Sequence, residues 1–279
     1  MEKTRATVSG GKSWGKRLGA ALLFVMLLWS FANLYTVVGV GMREKLPVLM
    51  YHHVLPGAEN TRYKDNRYTL DLEDFEAQMR YLYENGFQTM TSQELLGFLD
   101  GGPLPGKRVM ITFDDGYLSN LEYAYPVMKA YGFTGAIFLV TGSIPAQSPA
   151  LDPDALTMLG AAEIDGYRDV FEFFSHTDNM HRLEEGAPAL TASDEAAVRA
   201  DLEASFSKPY VSTDVFSYPY GSYNRDVVRM LVGYGVRCAF VTQPGYVSRL
   251  SPPYALHRFE VPRQITMEAF EIIVNGQAG

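Results

Sequence analysis

Cysteine is almost missing from this chain of 279 residues: Cys238 stands alone. A single thiol excludes an internal disulfide and any cysteine-built metal centre. Set in Arg237-Cys238-Ala239-Phe240-Val241, it reads as a small core residue. Histidine is scarce, at five residues, so any imidazole chemistry must come from His52, His53, His176, His181 and His257. Charged residues are only 20 % against 47 % hydrophobic, which excludes general disorder and leaves ample material for a core. From Leu46 onward there is no long low-complexity stretch and no convincing repeat.

Basic charge is short everywhere except at the N-terminus. Residues 1–45 hold seven of the 24 Lys and Arg but two of the 32 acids. The remainder therefore has 17 basic and 30 acidic residues, a net −13. An acidic domain of this kind is a poor partner for nucleic acid or any polyanion, whereas a neutral sugar polymer is electrostatically acceptable.

One long apolar run is present, from Leu18 to Val40, interrupted by Ser30, Asn33 and Thr36. As a helix it would extend about 35 Å, enough for a hydrocarbon core of about 30 Å. Five basic residues precede it, so the positive-inside rule puts residues 1–17 in the cytoplasm and the large domain outside. The expected organisation is a cytoplasmic basic segment (1–17), a transmembrane anchor or uncleaved signal (18–40), and an extracytoplasmic domain (41–279). Ser30-Phe31-Ala32 would serve as a cleavage site in the competing signal-peptide reading, but the run continues past it.

Within the exported domain, apolar strand patterns alternate with helical ones. Strands are expected at 46–51, 108–113, 135–140, 171–174, 214–217 and 237–242. Helices are expected at 71–85, with Leu72, Phe75, Met79 and Leu82 on one face, and at 92–99, 119–131 and 224–234. A glycine repeatedly stands between helix and strand, at Gly86, Gly132 and Gly235. This alternation predicts parallel strands joined by helical crossovers, in a closed barrel or an open sheet.

Four polar motifs each follow one of these strands. Tyr51-His52-His53 follows the first. Asp114-Asp115-Gly116-Tyr117 follows Thr112-Phe113, where a turn could bring two carboxylates to one site although adjacent strand residues point apart. Ser175-His176-Thr177 is followed by His181; five residues is the wrong interval for one helix face, so convergence requires a strand end and a turn. Ser217-Tyr218-Pro219-Tyr220-Gly221 constrains a backbone whose Tyr220 N–H could face a substrate oxygen. Each motif alone is also an ordinary turn. In parallel α/β folds, however, strand carboxyl ends share one face. One aspartate and two histidines meeting there would suit Zn²⁺ or a similar divalent ion, which acidifies bound water.

Taken together these residues resemble the polysaccharide deacetylases of carbohydrate esterase family 4, the NodB-homology type, over roughly 46–265. The resemblance rests on Leu-Met-Tyr-His-His-Val at 49–54, Thr-Phe-Asp-Asp-Gly at 112–116, Ser-His-Thr at 175–177 with His181, and Tyr-Pro-Tyr-Gly at 218–221. It implies an α/β fold, a distorted (β/α) barrel of about seven parallel strands after the N-terminal helix. It implies a metal held by Asp115, His176 and His181, with zinc favoured and cobalt, nickel or iron as alternatives. Asp114 would be the general base, and the Tyr220 N–H would share oxyanion stabilisation with the metal. The implied reaction is attack of metal-bound water on an acetamide of an N-acetylglucosamine polymer, either poly-N-acetylglucosamine or a peptidoglycan-like chain. Tyr117, Tyr218 and Pro219 would contact substrate, and the enzyme would act as a monomer tethered to the membrane. The alternative function is a non-catalytic, membrane-tethered glycan-binding protein on the same fold.

Two departures stand out. The histidines are five apart where the family has four, and Tyr218 occupies the place of an arginine that supports the site. Both features resemble the biofilm-type subgroup, in which the proton-donating histidine comes from the early Tyr-His segment. That makes His52 the acid, with His257 as second choice and His53 structural. It leaves the electrostatic support of Asp114 unassigned.

Overall fold

The computed structural model describes residues 22–30 and 44–278, and the chain divides into two units at Arg43 and Glu44. In the first unit, residues 22–30 form a helix (α1). The rest of the expected 18–40 span lies outside the described residues. Among the described residues no helix is long and apolar enough to cross a membrane.

The second unit begins with β1 (Val48–Tyr51), β2 (His53–Leu55), β3 (Thr69–Asp71) and α2 (Leu72–Glu84). It continues through β4 (Phe87–Thr89), α3 (Ser92–Leu99), β5 (Lys107–Phe113), α4 (Tyr125–Tyr131), β6 (Gly135–Leu139) and β7 (Phe171–Ser175). A small hairpin of β8 (Leu183–Glu184) and β9 (Ala187–Pro188) precedes α5 (Ala189–Ala192), α6 (Glu195–Phe206) and β10 (Ser212–Ser217). The chain then forms α7 (Arg225–Gly233), β11 (Cys238–Phe240), β12 (Phe259–Glu260) and α8 (Met267–Val274).

Seven strands form one parallel path in the order β11-β10-β7-β6-β5-β1-β12, with β4 added beside β5. The strands run parallel because helical crossovers return the chain to the same end. Among the described residues no ladder joins β11 to β12, so the sheet curls as an incompletely closed barrel. This is an α/β half-barrel, which decides between the two sheet forms the sequence allowed.

Local chemistry explains most element boundaries. In α2, Phe75, Met79 and Leu82 are fully buried, and Gly86 follows the helix with φ +73°. Gly132 and Gly235 likewise have positive φ, which glycine adopts without a Cβ clash. Thr91 closes a capping box with Glu94 at the start of α3. Cys238 is buried in β11 and burial pushes its thiol up to about 12, as befits an inert core residue.

One expected element differs in type and two differ in extent. The single helix anticipated at 119–131 is a π-helical stretch, Asn120–Ala124, running into α4. Pro126 has no N–H to donate to the carbonyl four residues back, so the regular α ladder cannot pass through this point. The strand expected at 237–242 is shorter, Cys238–Phe240, while β10 starts earlier than expected, at Ser212.

Candidate active site

The carboxyl ends of the central strands open into a cleft of about 430 Å³ that holds Asp114, Asp115, Tyr117, His52, His176, His181 and Tyr220. Three of these strand ends break regular geometry. Asp115 after β5, Thr177 after β7 and Tyr220 after β10 all have positive φ, at +74°, +74° and +58°. Such backbones are strained for residues with a Cβ and persist where surrounding structure enforces them. At Asp115 the left-handed turn has the effect the Asp-Asp motif required: both carboxylates face one site. Gly221 is also obligatory, because a Cβ there would lie 2.4 Å from Thr242 Oγ1 and 2.7 Å from the Thr242 N.

Asp115, His176 and His181 each present a ligand atom within 4.8 Å of the others. His176 Nε2 lies 3.8 Å and His181 Nε2 3.4 Å from Asp115 Oδ1. These separations are too long for hydrogen bonds, and Asp115 Oδ1 is buried without a protein partner. His176 Nδ1–H donates to the Ser217 carbonyl at 2.7 Å, which leaves Nε2 as the free lone pair aimed at the cluster. Burial holds the His176 ring down to about 4 despite the neighbouring Asp114 carboxylate, so the imidazole is neutral at neutral pH. The donor set of two imidazoles and one carboxylate fits a divalent cation with open positions. Tyr117 Oη donates to Asp115 Oδ2 at 3.0 Å and orients the carboxylate.

Beside this cluster, Asp114 is 2 % exposed and held in a fork by Arg258, itself wholly buried. Arg258 Nη1 and Nη2 each donate to an Asp114 oxygen at 2.7 Å. The remaining guanidinium donors reach Thr112 Oγ1 (3.1 Å), Ser217 Oγ (2.8 Å) and the Val241 carbonyl (3.2 Å), so all five N–H groups are satisfied. The guanidinium lies 5.6 Å from the ring centroids of both Phe138 and Phe240. Burial alone would raise the Asp114 pKa, but the Arg258 charge and fork, with His176, hold it well below the ordinary carboxylate range.

Arg258 is the functional residue that sequence reading missed. It fills the vacancy left by Tyr218, but from β12's approach rather than from the Tyr-Pro-Tyr-Gly segment. The available signal was an arginine directly before the alternating apolar residues Phe259 and Val261.

The other anticipated residues are distributed as follows. His52 stands at the break between β1 and β2, lines the cleft, and packs against Tyr68 with ring centroids 4.8 Å apart. Tyr220 lines the cleft and stacks on His181 at 4.7 Å. His53 is buried, pairs its Nδ1 with Ser119 Oγ, and is held down to about 4 by burial, a structural role. His257 is outside the cleft: its ring is exposed and its Nδ1 contacts the Pro244 carbonyl at 3.3 Å. Tyr218 and Pro219 are also outside it. Tyr218 is 0 % exposed and its hydroxyl donates to the Tyr254 carbonyl, so its side chain supports the motif from within the core. The loops 143–168 and 182–195 contribute no lining residue to the cleft; Asn66, Tyr68, Thr242 and Glu260 do.

A parallel half-barrel that gathers an ionised carboxylate, a pair of facing imidazoles and a buried arginine at its strand ends has the architecture of a hydrolase. Comparison with known proteins narrows that class. The Polysaccharide deacetylase family model matches residues 101–239. YxkH of Bacillus subtilis, which carries a polysaccharide deacetylase name, is 32 % identical over 228 residues, covering 81 % of this chain and 75 % of its own. The poly-beta-1,6-N-acetyl-D-glucosamine N-deacetylase of Staphylococcus epidermidis is 24 % identical over 239 residues, covering 83 % and 78 %. The solved structure of IcaB from Ammonifex degensii superposes with a TM-score of 0.69 at 25 % identity, over 84 % of this chain and 98 % of that one. The chain belongs to the polysaccharide deacetylase family, and its enzyme class is that of the polysaccharide N-deacetylases.

Proposed function

We propose that the protein is a metal-dependent N-deacetylase of an N-acetylglucosamine polymer, with poly-β-1,6-N-acetylglucosamine the favoured substrate. One observation carries the catalytic reading: the mutually facing ligand atoms of Asp115, His176 and His181 share a cleft with the arginine-held carboxylate of Asp114. The choice of polymer is supported by the name of the Staphylococcus epidermidis relative, a poly-beta-1,6-N-acetyl-D-glucosamine N-deacetylase.

A divalent cation, zinc in preference to cobalt, nickel or iron, would act at the triad as a Lewis acid, polarising a carbonyl oxygen and acidifying water. The chain's own residues do the rest. Asp114 Oδ takes the proton from the water as its oxygen attacks the acetamide carbon. The Tyr220 N–H donates to the carbonyl oxygen as negative charge develops there. His52 delivers a proton to the sugar nitrogen as the C–N bond breaks, releasing acetate and a free amine. Tyr68 and Tyr220, 45 % and 44 % exposed, both line the cleft and offer aromatic faces for sugar rings.

The basic segment 1–17 and the apolar run 18–40 support export of this domain on a membrane tether. The non-catalytic glycan-binding alternative is not favoured, because binding has no use for an ionised buried base. The test is acetate release from defined N-acetylglucosamine oligomers, with metal analysis of the same preparation. Full activity of an Asp115→Ala protein would sink the site assignment.

A further inference from the structure

The interval between His176 and His181 holds a feature that neither residue explains. Four consecutive amides of the intervening loop are tied down without belonging to any helix or sheet. The Thr177 N–H donates to Ser175 Oγ at 3.0 Å and the Met180 N–H to Thr177 Oγ1 at 3.2 Å. The two amides between them, of Asp178 and Asn179, both donate to one side chain, Asp201, at 2.9 Å (Oδ2) and 2.6 Å (Oδ1). Asp201 lies in the middle of α6, and one turn later Ser205 Oγ bonds Ser175 Oγ at 2.7 Å and lies 3.1 Å from Thr141 Oγ1, a second hydroxyl pair. Asp201 and Ser205 share a helix face by their four-residue spacing. That face therefore grips both the end of β7, where His176 stands, and the loop leading to His181.

We propose that Asp201 is a positioning residue for the metal site: its carboxylate is the mandrel around which the loop closes, so that histidines five residues apart converge. A regular helical turn would bring together residues three or four apart, and the additional residue has to be absorbed by a non-helical loop. Thr177 at φ +74° begins that loop, and a left-handed residue is stable here only while the following amides have acceptors. Both Asp201 oxygens meet this need with charge-assisted bonds. Asp178 is held on its other side as well, since its Oδ1 accepts from Thr141 Oγ1 at 2.7 Å. Asp201 touches neither substrate nor ligand atoms and acts only through the placement of the two rings. This rests on the reading of Asp115, His176 and His181 as a metal site.

The experiment compares wild type, Asp201→Asn and Asp115→Ala for Zn²⁺ affinity by competition with a chromophoric chelator, and for the visible absorption of the Co²⁺-loaded proteins. Asparagine has the same shape, but its NH₂ would face one of the two amides, donor against donor. The expected result is a fall in Zn²⁺ affinity of roughly tenfold to 100-fold for Asp201→Asn with an altered cobalt spectrum, while the metal-free variant keeps a cooperative melting transition. A loss of less than tenfold with an unchanged cobalt spectrum overturns the inference. Wild-type protein that binds no metal, or Asp115→Ala protein that binds as tightly as wild type, overturns the site itself and this inference with it. Hydrogen exchange on metal-free wild-type protein gives a test that needs no variant. The amides of Asp178 and Asn179 should be protected before any metal is added, and free exchange there overturns the idea of a pre-shaped loop.

Discussion

At Asp114 the proposed role and the position conflict: the general base proposed above has to accept a proton, yet its carboxylate is buried away from water. Arg258 resolves the conflict by neutralising the buried charge with a bidentate fork. Removing one member of a buried pair leaves the other uncompensated, so Arg258→Met should lower stability by about 3–5 kcal/mol. Denaturant midpoints measure this, and an unchanged midpoint would show that the pair is not buried as described. His53 sets a second residue-scale expectation. Its folded value is depressed from 6.5 to about 4 by burial, so between these values the unfolded chain binds a proton that the folded chain refuses. Stability therefore rises with pH across that window and is lost on acidification, by about 3 kcal/mol in all. Replacing His53 with Leu should flatten this limb of the stability profile relative to wild type; parallel profiles would mean the histidine titrates normally.

Helix starts carry much of the element-scale organisation. In α7, Asn224 Oδ1 accepts from the N–H groups of Asp226 and Val227, at 3.0 and 2.9 Å. The helix buries Val227, Met230 and Leu231 directly after the Tyr-Pro-Tyr-Gly segment, so its start also fixes where that segment can go. Asn224→Ala should cost about 1 kcal/mol, read as a lower melting temperature with the fold intact. The π-helical stretch at Asn120–Ala124 shows what local pattern conceals. Apolar spacing predicted a helix there correctly, but the missing donor of Pro126 changed its type. Helix faces and glycine stops were legible because each depends on neighbours within a turn. The extent of β10 and β11 was not, because a strand's length is set by the partner it pairs with.

For the molecule as a whole, the site is assembled from β1, β5, β7 and β10, far apart in the chain and joined only by the sheet. A cation that binds this assembly and not the unfolded chain must stabilise the fold, by about 2.7 kcal/mol at a free concentration 100 times its Kd. Zn²⁺ should accordingly raise the melting temperature of the wild-type protein and chelator should reverse the rise. Asp115→Ala should show neither response; an equal rise in the variant would place the cation elsewhere.

The sequence alone determined the alternation of strand and helix, the four polar motifs at strand ends, and the family to which they point, since all are encoded by residues adjacent in the chain. It also identified Asp115, His176 and His181 as a set that could meet. Only the tertiary structure decided that Arg258 supports Asp114, that His257, Tyr218 and Pro219 stand outside the cleft, and that Asn66, Tyr68, Thr242 and Glu260 line it. The physical reason is the same in each case. A buried charge is matched, and a side chain is exposed or hidden, by whatever the folded chain brings against it, and segments as distant as 114 and 258 become neighbours only when the parallel sheet has formed.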